Sequence, residues 1–340
     1  MISKLKGISI KAVASALPEG QLTLSNFSDM FGEREAARIA KSTGISGVRI
    51  AGDSSSVDLA YAASCSLFDQ ADVDPYSIDA VVFVTQTPDA LMPGSSALLA
   101  ARLGLRSNIV AFDLNFGCSG YVYGLFQASM LVSNAGFRRV LVCTSDVITN
   151  LLNPADRHVR MVFGDGASAT LVEMGDHDSR FLFDTNGNGA KHLGTPITYL
   201  NSGGYEKTAR AEVGSLFMDG AQVMNFALDR VPSMIREFLT CAEVSSSEVP
   251  YFILHQANAF MLHYLGRKLE IEPSRIPVFV DGVGNTGPSS IPILLSCSPD
   301  NSRFCLDNLV FCGFGVGLSV AIGMFSLKGT KLISPVIVNS

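Results

Sequence analysis

Charged residues are scarce in this sequence of 340 residues: aspartate, glutamate, lysine and arginine together make up 16% of it. The net charge is −6 at pH 7, and the lysines and arginines form no continuous block. Proteins that bind nucleic acid usually carry a basic patch that neutralises phosphates, so the sequence argues against nucleic acid as a partner. Hydrophobic residues make up 47% of the chain, which favours a compact protein with a large buried core.

The seven cysteines form no CxxC pair, and the N-terminal residues lack the long apolar segment of a secretory leader. An odd number of cysteines inside apolar runs is typical of reduced thiols, so we expect a cytoplasmic protein. Residues 309–325 are apolar over most of their length but are rich in glycine. This stretch is shorter than a typical membrane span, so it predicts a buried strand and a glycine turn, and we expect no membrane insertion.

Short β-like runs alternate with helical stretches along the chain, which is typical of an α/β protein whose sheet is covered by helices. The second part repeats the pattern of the first, so we expect two similar halves, residues 1–175 and 176–340. Residues 176–215 are rich in glycine and polar side chains and predict a connecting excursion that covers a site. The runs that predict strands are 6–17, 79–86, 108–115, 139–145, 167–174, 251–256, 276–281, 308–314 and 318–325. The stretches that predict helices are 55–71, 95–104, a segment from Cys118 to about residue 134, 221–242 and 260–270.

Three short motifs lie in turns at the ends of β-like runs: GCSG with Cys118, HQAN with His255 and Asn258, and GNTGPSSIP with Asn285. Turns at the ends of neighbouring strands can bring side chains together above a sheet. Cys118 also precedes a helix, and the positive end of a helix favours a thiolate. We therefore expect the pKa of this thiol to be lowered.

These side chains have the chemistry of an acyl-transfer or carbon–carbon bond-forming site. A thiolate at Cys118 can take an acyl group from a thioester and form a covalent acyl-enzyme. His255 and Asn285 can then donate hydrogen bonds to the oxygen of an enolate, which forms when a second thioester loses carbon dioxide. Backbone N–H groups in the glycine turn 312–317 can hold the oxyanion of the acyl-transfer step.

Each motif also has a purely structural explanation. A cysteine in an apolar strand–helix unit is often a core residue, a single histidine at a strand end is often packed, and NTG is an ordinary turn. The turn FGDGAS, residues 163–168, predicts a backbone geometry that Asp165 fixes. The other histidines are expected to be solvated or packing residues: His158, His177, His192 and His263.

Taken together, the motifs resemble the β-ketoacyl-acyl-carrier-protein synthase III group of the thiolase superfamily. The resemblance runs from TGISGVRIA (43–51) through residues 84–105 to the final GFGVG, and it includes FGDGASATLVE and MDGAQVMNFAL (218–228). It implies a five-layered αβαβα fold from two duplicated halves, and a homodimer. It also implies condensation of an acyl thioester with a malonyl-type thioester, carried by coenzyme A or acyl carrier protein, with no tightly bound cofactor and no metal.

The resemblance assigns roles to individual residues. Cys118, His255 and Asn285 match the family's catalytic triad. The N–H groups of Cys118 and of the Gly315–Val316 region would hold the acyl oxyanion. Phe314 would press on the malonyl carboxylate and favour its loss.

The resemblance also implies roles in substrate binding. Met92 matches the residue that lines the acyl pocket of the partner subunit. Arg38 stands where several relatives stack the adenine of coenzyme A on a tryptophan, a residue type that this sequence lacks. Arg49 remains from a stretch that is richer in arginine in relatives. Asn258 would order the loop or a water molecule beside the site.

The sequence departs from the family at the surface expected to dock an acyl carrier protein. Asn225 and Phe260 stand where lysine and arginine often occur, whereas Arg267 and Lys268 remain. Val316 also replaces a common glycine. Because fewer cations weaken docking to an acidic carrier, we expect a specialised lipid, secondary-metabolite or surface-polysaccharide pathway rather than the initiation of fatty-acid synthesis.

Other functions stay open on the residues alone. An enzyme that transfers the acyl group to an alcohol or amine would use His255 as a general base, although the second donor, Asn285, favours condensation. A papain-like protease has the same order of Cys, His and Asn, but its cysteine lies in a different local pattern. A non-catalytic subunit that holds a partner ketosynthase would not need Cys118, His255 and Asn285 together.

Overall fold

The computed structural model describes residues 2–195, 214–298 and 300–339. The strands within these ranges are β1 Ser3–Pro18, β2 Gln21–Leu22, β3 Val48–Arg49, β4 Ala80–Val84, β5 Val110–Leu114, β6 Arg139–Asp146, β7 Gly166–Met174, β8 His177–Thr185, β9 Leu193–Gly194, β10 Phe217–Met218, β11 Phe252–Leu254, β12 Leu309–Gly315, β13 Ser319–Phe325, β14 Lys331–Leu332 and β15 Val336–Val338. The α-helices are α1 Leu24–Phe31, α2 Glu33–Thr43, α3 Ser56–Ala71, α4 Ser95–Arg102, α5 Gly120–Ala135, α6 Arg157–Arg160, α7 Gly220–Ala242, α8 Ala259–Leu269 and α9 Ser290–Cys297.

Two sets of strands follow the same spatial order. In the first set the order is β5-β4-β6-β7-β1, and β7 is antiparallel to the other four strands. In the second set the order is β11-β12-β13-β8, and β13 is antiparallel to the other three. If the five strands of the first set are numbered 1 to 5 in chain order, their spatial order is 3-2-4-5-1. The second set has the order 2-4-5-1, so among the described residues it lacks the counterpart of strand 3. This repetition confirms the predicted duplication, and the halves meet where β1 pairs with β8.

The exact division of the chain at residue 175 stays a prediction, and that residue lies between β7 and β8.

Helices form three layers around these strands. α3 and α4 pack on one face of the first half, and α7 and α8 pack on the outer face of the second. The central layer contains α5 and α9. One hydrophobic cluster of buried side chains there contains Tyr121 and Leu125 of α5, Leu294 of α9 and Phe311 of β12. The result is the five-layered αβαβα arrangement that the resemblance implies.

The predicted strand at residues 276–281 is wrong. The segment pairs with the buried side chain of Gln256 and not with a neighbouring strand. Nε2 of Gln256 donates to the carbonyl of Pro277 (3.3 Å), and its Oε1 accepts from the N–H of Phe279 (2.8 Å). Pro277 also has no N–H to give to a ladder. A side chain therefore occupies the polar groups that the missing third strand would use.

The predicted excursion at 176–215 is wrong over its first part, because β8 occupies residues 177–185 and pairs with both β1 and β13. Its polar composition hides a run of apolar residues, Phe181 to Phe183, between charged ends. Residues 196–213 of the excursion lie outside the described residues. The helices α1, α2, α6 and α9 were not predicted.

Residues 309–325 form the antiparallel pair β12 and β13, as the glycine-rich pattern predicted. In the part of the chain that the structure describes, no helix combines the length and the apolarity needed to cross a bilayer.

Replacing Gln256 by alanine is expected to lower the free energy of unfolding by about 2–4 kcal/mol, because buried backbone groups of Leu254 and Pro277 and a partly buried one of Phe279 lose their partner. Urea unfolding followed by circular dichroism measures this change. Gln70 is the control, since it is exposed and, among the described residues, its side-chain amide bonds only to Ser66 of its own helix. Gln70→Ala should change the free energy by less than about 0.5 kcal/mol, and equal losses for both variants would contradict the interpretation.

Candidate active site

Cys118 lies in the turn that joins β5 to α5, two residues before the helix begins at Gly120. The next residue, Ser119, ties this turn to the second half. Its Oγ lies 2.8 Å from Oγ of Ser319, and Ser319 in turn donates to the carbonyl of Val316 (2.8 Å). These hydrogen bonds connect the start of α5 to the turn between β12 and β13.

The end of β12 lies directly against the thiol. A Cβ atom at Gly315 would stand 2.8 Å from Cβ and 2.9 Å from Sγ of Cys118, so this position has no room for a side chain. The backbone N–H groups of Cys118 and Val316 both act on the sulfur and favour its ionised form. Two N–H groups at the reacting atom are the donor set that an acyl oxyanion requires.

The surroundings of Cys118 oppose the thiolate. Desolvation and, next, the carboxylate of Asp146 raise the pKa of Cys118 to about 12, and the two N–H donors only partly offset this. The lowered pKa predicted from the helix N-terminus is therefore wrong, because the loss of solvation outweighs the effect of the helix end. At neutral pH the resting residue is a thiol.

His255 follows β11 and is only 1% exposed. Its N–H donates to the carbonyl of Cys312 (2.8 Å), and its ring meets the ring of Phe314 edge-on, with centroids 5.4 Å apart. Its Nδ1 lies 2.7 Å from Oγ of Ser290, the first residue of α9. Burial lowers the pKa of His255 to about 3, so the imidazole is neutral near pH 7.

Asn285 lies in a buried turn just before α9. Its N–H donates to the carbonyl of Val162 (2.8 Å), and its own carbonyl accepts from the N–H of Gly164 (3.1 Å). The side-chain Oδ1 accepts from the N–H of Gly287 (3.0 Å). Because Oδ1 is engaged, Nδ2 is the end of the amide that can serve a substrate, and it is a donor.

The structure brings the three sequence motifs to one end of the central layer. Gly315 touches Cys118, and its neighbour Phe314 touches His255. A Cβ atom at Gly120 would stand 3.4 Å from Pro288, in the turn that carries Asn285. These contacts join the turn of Cys118 to the strand end beside His255 and to the turn that carries Asn285.

Asp146, the last residue of β6, was not singled out from the sequence. It is 1% exposed, and its Oδ1 accepts from the hydroxyls of Thr85 (3.0 Å) and Thr87 (3.1 Å) and from the N–H of Gln86 (2.7 Å). Burial raises the pKa of Asp146 to about 6. A carboxylate at the end of a buried strand is the signal that could have identified it.

Asp165 has the structural role predicted for it. Its buried carboxylate accepts from the N–H of Ala51 (2.8 Å) and from the N–H (3.0 Å) and hydroxyl of Thr149. These bonds fix the turn that precedes β7. The histidines outside the motifs, as expected, are exposed or partly exposed: His158, His177, His192 and His263.

Arg38 and Arg49 are engaged within the protein. The guanidinium of Arg38 pairs with Glu35 (2.6 Å), and Glu35 also pairs with Arg157 (2.9 Å). Nη1 of Arg49 donates to the carbonyls of Pro18 (3.0 Å) and Glu19 (3.3 Å). Their roles in substrate binding stay predictions.

The other substrate and docking positions lie on the surface or at helix ends. Met92 is 83% exposed. Asn258 caps α8, accepting from the N–H of Met261 (2.8 Å), which orders the loop after His255. Arg267 lies over the ring of Tyr264, 5.4 Å from its centroid. Nζ of Lys268 donates to Leu228 (2.9 Å) and Asp229 (3.2 Å) of α7, so part of its charge is already paired. Substrate binding and docking by these residues stay predictions.

A cavity of about 1170 Å³ lies elsewhere, lined among others by Asp79, Arg106 and Arg139. Asp79 precedes β4, Arg139 begins β6, and Arg106 lies in the loop before β5. Cys118 follows the opposite, C-terminal end of β5. The cavity is therefore not part of the site.

Known proteins identify the family. The family model described as 3-oxoacyl-[acyl-carrier-protein (ACP)] synthase III matches residues 112–188, and its C-terminal model matches residues 239–327. A β-ketoacyl-[acyl-carrier-protein] synthase III of Lactococcus lactis is 32% identical over 322 residues, which are 94% of this chain and 98% of the relative. The chain belongs to the 3-oxoacyl-[acyl-carrier-protein] synthase III family.

Solved structures agree with this membership. A 3-oxoacyl-(acyl-carrier protein) synthase from Burkholderia xenovorans LB400 is similar with a TM-score of 0.92 and 30% identity, over 100% of this chain and 99% of that one. The priming β-ketosynthase of the R1128 polyketide pathway is similar with a TM-score of 0.83 and 26% identity, over 95% and 97% of the two chains.

As a member of this family, the protein is a condensing acyltransferase that acts on acyl thioesters, and the expectation of thioester substrates is confirmed. The alternative of a papain-like protease is wrong, because the chain belongs to a different enzyme family.

The variant Asp146→Asn is expected to make Cys118 react with iodoacetamide about tenfold faster at pH 8. The amide keeps an acceptor oxygen for Thr85, Gln86 and Thr87 but removes the charge that disfavours the thiolate. The measurement is the pH profile of alkylation, with Cys118 followed by peptide mass.

Asp165→Asn is the matched control, because Asp165 is an equally buried carboxylate in a turn but is not among the charges that act on Cys118. Its profile should coincide with that of the parent enzyme. An unshifted profile for Asp146→Asn would show that the carboxylate has no electrostatic effect on the thiol.

Proposed function

We propose that the enzyme forms an acyl-enzyme on Cys118 and condenses it, with decarboxylation, with a malonyl-type thioester to give a β-ketoacyl product. The observation that supports this most is the convergence of a thiol, a neutral imidazole and the donor end of an amide at one place. A thiol accepts the acyl group, and two neutral donors suit an enolate.

In the first step the sulfur of Cys118 attacks the carbonyl carbon of the acyl thioester. The bond from that carbon to the carrier sulfur breaks, and the thiol proton of Cys118 leaves with the departing coenzyme A or carrier thiol. The N–H groups of Cys118 and Val316, which act on the sulfur, hold the oxyanion of the tetrahedral intermediate.

In the second step the malonyl thioester loses carbon dioxide, and the electrons of the broken carbon–carbon bond form an enolate. His255 and Asn285 stabilise the enolate oxygen by hydrogen bonds. The enolate carbon attacks the acyl carbon, the sulfur of Cys118 leaves, and the thiolate takes up one proton. Phe314 lies beside His255, and an apolar ring there disfavours the carboxylate relative to carbon dioxide.

Acyl transfer to an alcohol or amine is a weaker alternative. That reaction needs a general base whose pKa lies near the working pH. Burial lowers the pKa of His255 to about 3, so this ring is a poor base and is better suited to donate a hydrogen bond.

We further propose that the enzyme serves a specialised pathway. Phe260 is an exposed apolar residue on α8, and the charge of Lys268 is paired with Asp229, so the helix offers an acidic carrier few free cations. A solved relative is a priming β-ketosynthase of a polyketide pathway. A strong preference for coenzyme A donors over carrier-protein donors would agree with weak docking.

We also propose that the enzyme is a homodimer built through β5. This strand ends the described sheet, pairs only with β4, and leaves Val110 39% exposed. An apolar edge strand without a partner is normally covered. Leu91 and Met92 are exposed apolar residues at 76% and 83%, which fits a loop that reaches into a partner subunit.

Incubation with a panel of acyl-coenzyme A and acyl-carrier-protein donors should add the mass of one acyl group to the protein. The gain should be absent in Cys118→Ala, because the variant lacks the sulfur that forms the bond. Intact-protein mass measures this, and it identifies the donor, the carrier and the chain length together. Release of carbon dioxide from malonyl thioester then separates condensation from simple acyl transfer.

His255→Ala should still form the acyl-enzyme, but its rate of carbon dioxide release should fall about a hundredfold or more, because one donor to the enolate is gone. A protein that no donor acylates, or that transfers its acyl group without malonyl thioester, would contradict the proposed reaction.

Val110→Lys should weaken self-association at least tenfold, because a charge on the edge strand opposes pairing with a second copy. Sedimentation equilibrium measures the dissociation constant. Met174→Lys is the control, as Met174 is a 62% exposed apolar residue at the C-terminal end of β7, and β6 and β4 lie between that strand and β5. Equal dissociation constants for both variants would place the interface elsewhere.

A further inference from the structure

We propose that Ser290 is a positioning residue that holds His255 in the tautomer with its proton on Nε2, so that the ring acts as a donor during decarboxylation. The inference rests on the proposed function and names the residue that selects the role of the histidine. The contact that carries it is the distance of 2.7 Å between Nδ1 of His255 and Oγ of Ser290.

The hydroxyl proton of Ser290 decides which tautomer is present. A serine hydroxyl has one hydrogen to donate and two lone pairs that accept. One lone pair accepts from the N–H of Gln256, at 3.3 Å. Among the described residues, Nδ1 of His255 is the acceptor within hydrogen-bond distance of this hydroxyl. When Ser290 donates to Nδ1, the proton of a neutral imidazole must be on Nε2.

The opposite tautomer leaves a buried donor without a partner. If Nδ1 carried the proton, Oγ of Ser290 would accept from both His255 and Gln256, and its own hydrogen would have no acceptor among the described residues. Ser290 is 3% exposed and His255 is 1% exposed, so bulk water does not replace that acceptor. An unsatisfied buried hydroxyl costs free energy, which disfavours this arrangement.

The position of Ser290 is fixed by the central layer. It is the first residue of α9, with helical backbone angles of −64° and −38°, and the next residues, Ile291, Ile293 and Leu294, are buried. Its neighbour Ser289 is engaged differently, with Thr144 (2.9 Å) and the carbonyl of Gly166 (3.0 Å). Only Ser290 of this pair meets the histidine.

The residue His255 is therefore held at its backbone and at its ring. Cys312 accepts from its backbone N–H, Phe314 packs edge-on, and Ser290 occupies Nδ1. Nε2 is the ring nitrogen left for a substrate, and it carries a hydrogen. A protonated Nε2 on a neutral ring can donate to an enolate oxygen but cannot take a proton from an alcohol or amine, so Ser290 selects condensation over acyl transfer.

The test combines the tautomer with the two half-reactions. Nitrogen-15 NMR of histidine-labelled enzyme should show an unprotonated Nδ1 and a protonated Nε2 for His255, whose signals are assigned by their loss in His255→Gln. Ser290→Ala should give a mixture of tautomers and slow carbon dioxide release from malonyl thioester about tenfold. It should leave acylation of Cys118 within about twofold, which also shows that the variant is folded.

Two further variants separate tautomer control from packing. Ser290→Thr keeps a hydroxyl and should restore the tautomer and most of the decarboxylation rate. Ser289→Ala removes an equally buried hydroxyl one residue earlier, and the histidine signals should not change.

The outcomes distinguish this inference from the proposed function. A parent enzyme that is acylated but releases no carbon dioxide would refute condensation, whatever the tautomer. A parent enzyme that decarboxylates malonyl thioester while Nδ1 carries the proton would overturn the role of Ser290. The same is true if Ser290→Ala changes neither the histidine signals nor the decarboxylation rate.

Discussion

The strand β12 can end against the thiol of Cys118 only because residue 315 has no side chain, and the rest of the site depends on this contact. With the backbone so close, the N–H of Val316 acts on the sulfur and favours its ionised form. The preceding residue, Phe314, then packs on His255. One close approach therefore sets the position of the nucleophile, of an oxyanion donor and of the apolar wall beside the imidazole, which together form the chemical environment of both half-reactions.

Burial acts on the two titratable groups in opposite directions. It raises the pKa of Cys118 to about 12 and lowers the pKa of His255 to about 3, so the resting site holds a neutral thiol and a neutral imidazole rather than an ion pair. Asp146 adds to this by opposing negative charge on the sulfur. The charge that the site is built to accept is thus the one that develops on the substrate, as oxyanion or enolate, where fixed donors stabilise it most.

Much of the fold, and the motifs that form the site, could be predicted from the sequence, because apolar runs and the turns after them are local features. The positions of Cys118 and His255 after strands follow from such patterns, whereas the run before Asn285 forms no strand. The parts that could not be predicted depend on distant contacts. The strand missing at 276–281 reflects hydrogen bonds from Gln256, and the pKa of Cys118 reflects desolvation and a carboxylate 28 residues away. Ser290 stands 35 residues from His255, so its bond to the ring has no local signal.

The duplication explains why the site lies where the halves meet. Each half sends one helix into the central layer, α5 from the first and α9 from the second. Cys118 precedes the first turn of α5, whereas Asn285 and Ser290 lie before and at the start of α9. The groups thus stand near the positive ends of two helices, where negative charge on a sulfur, an oxyanion or an enolate is favoured. Neither half contains the whole set. The nucleophile comes from one copy and the enolate donors from the other, so the two copies can diverge separately in acyl transfer and in decarboxylation.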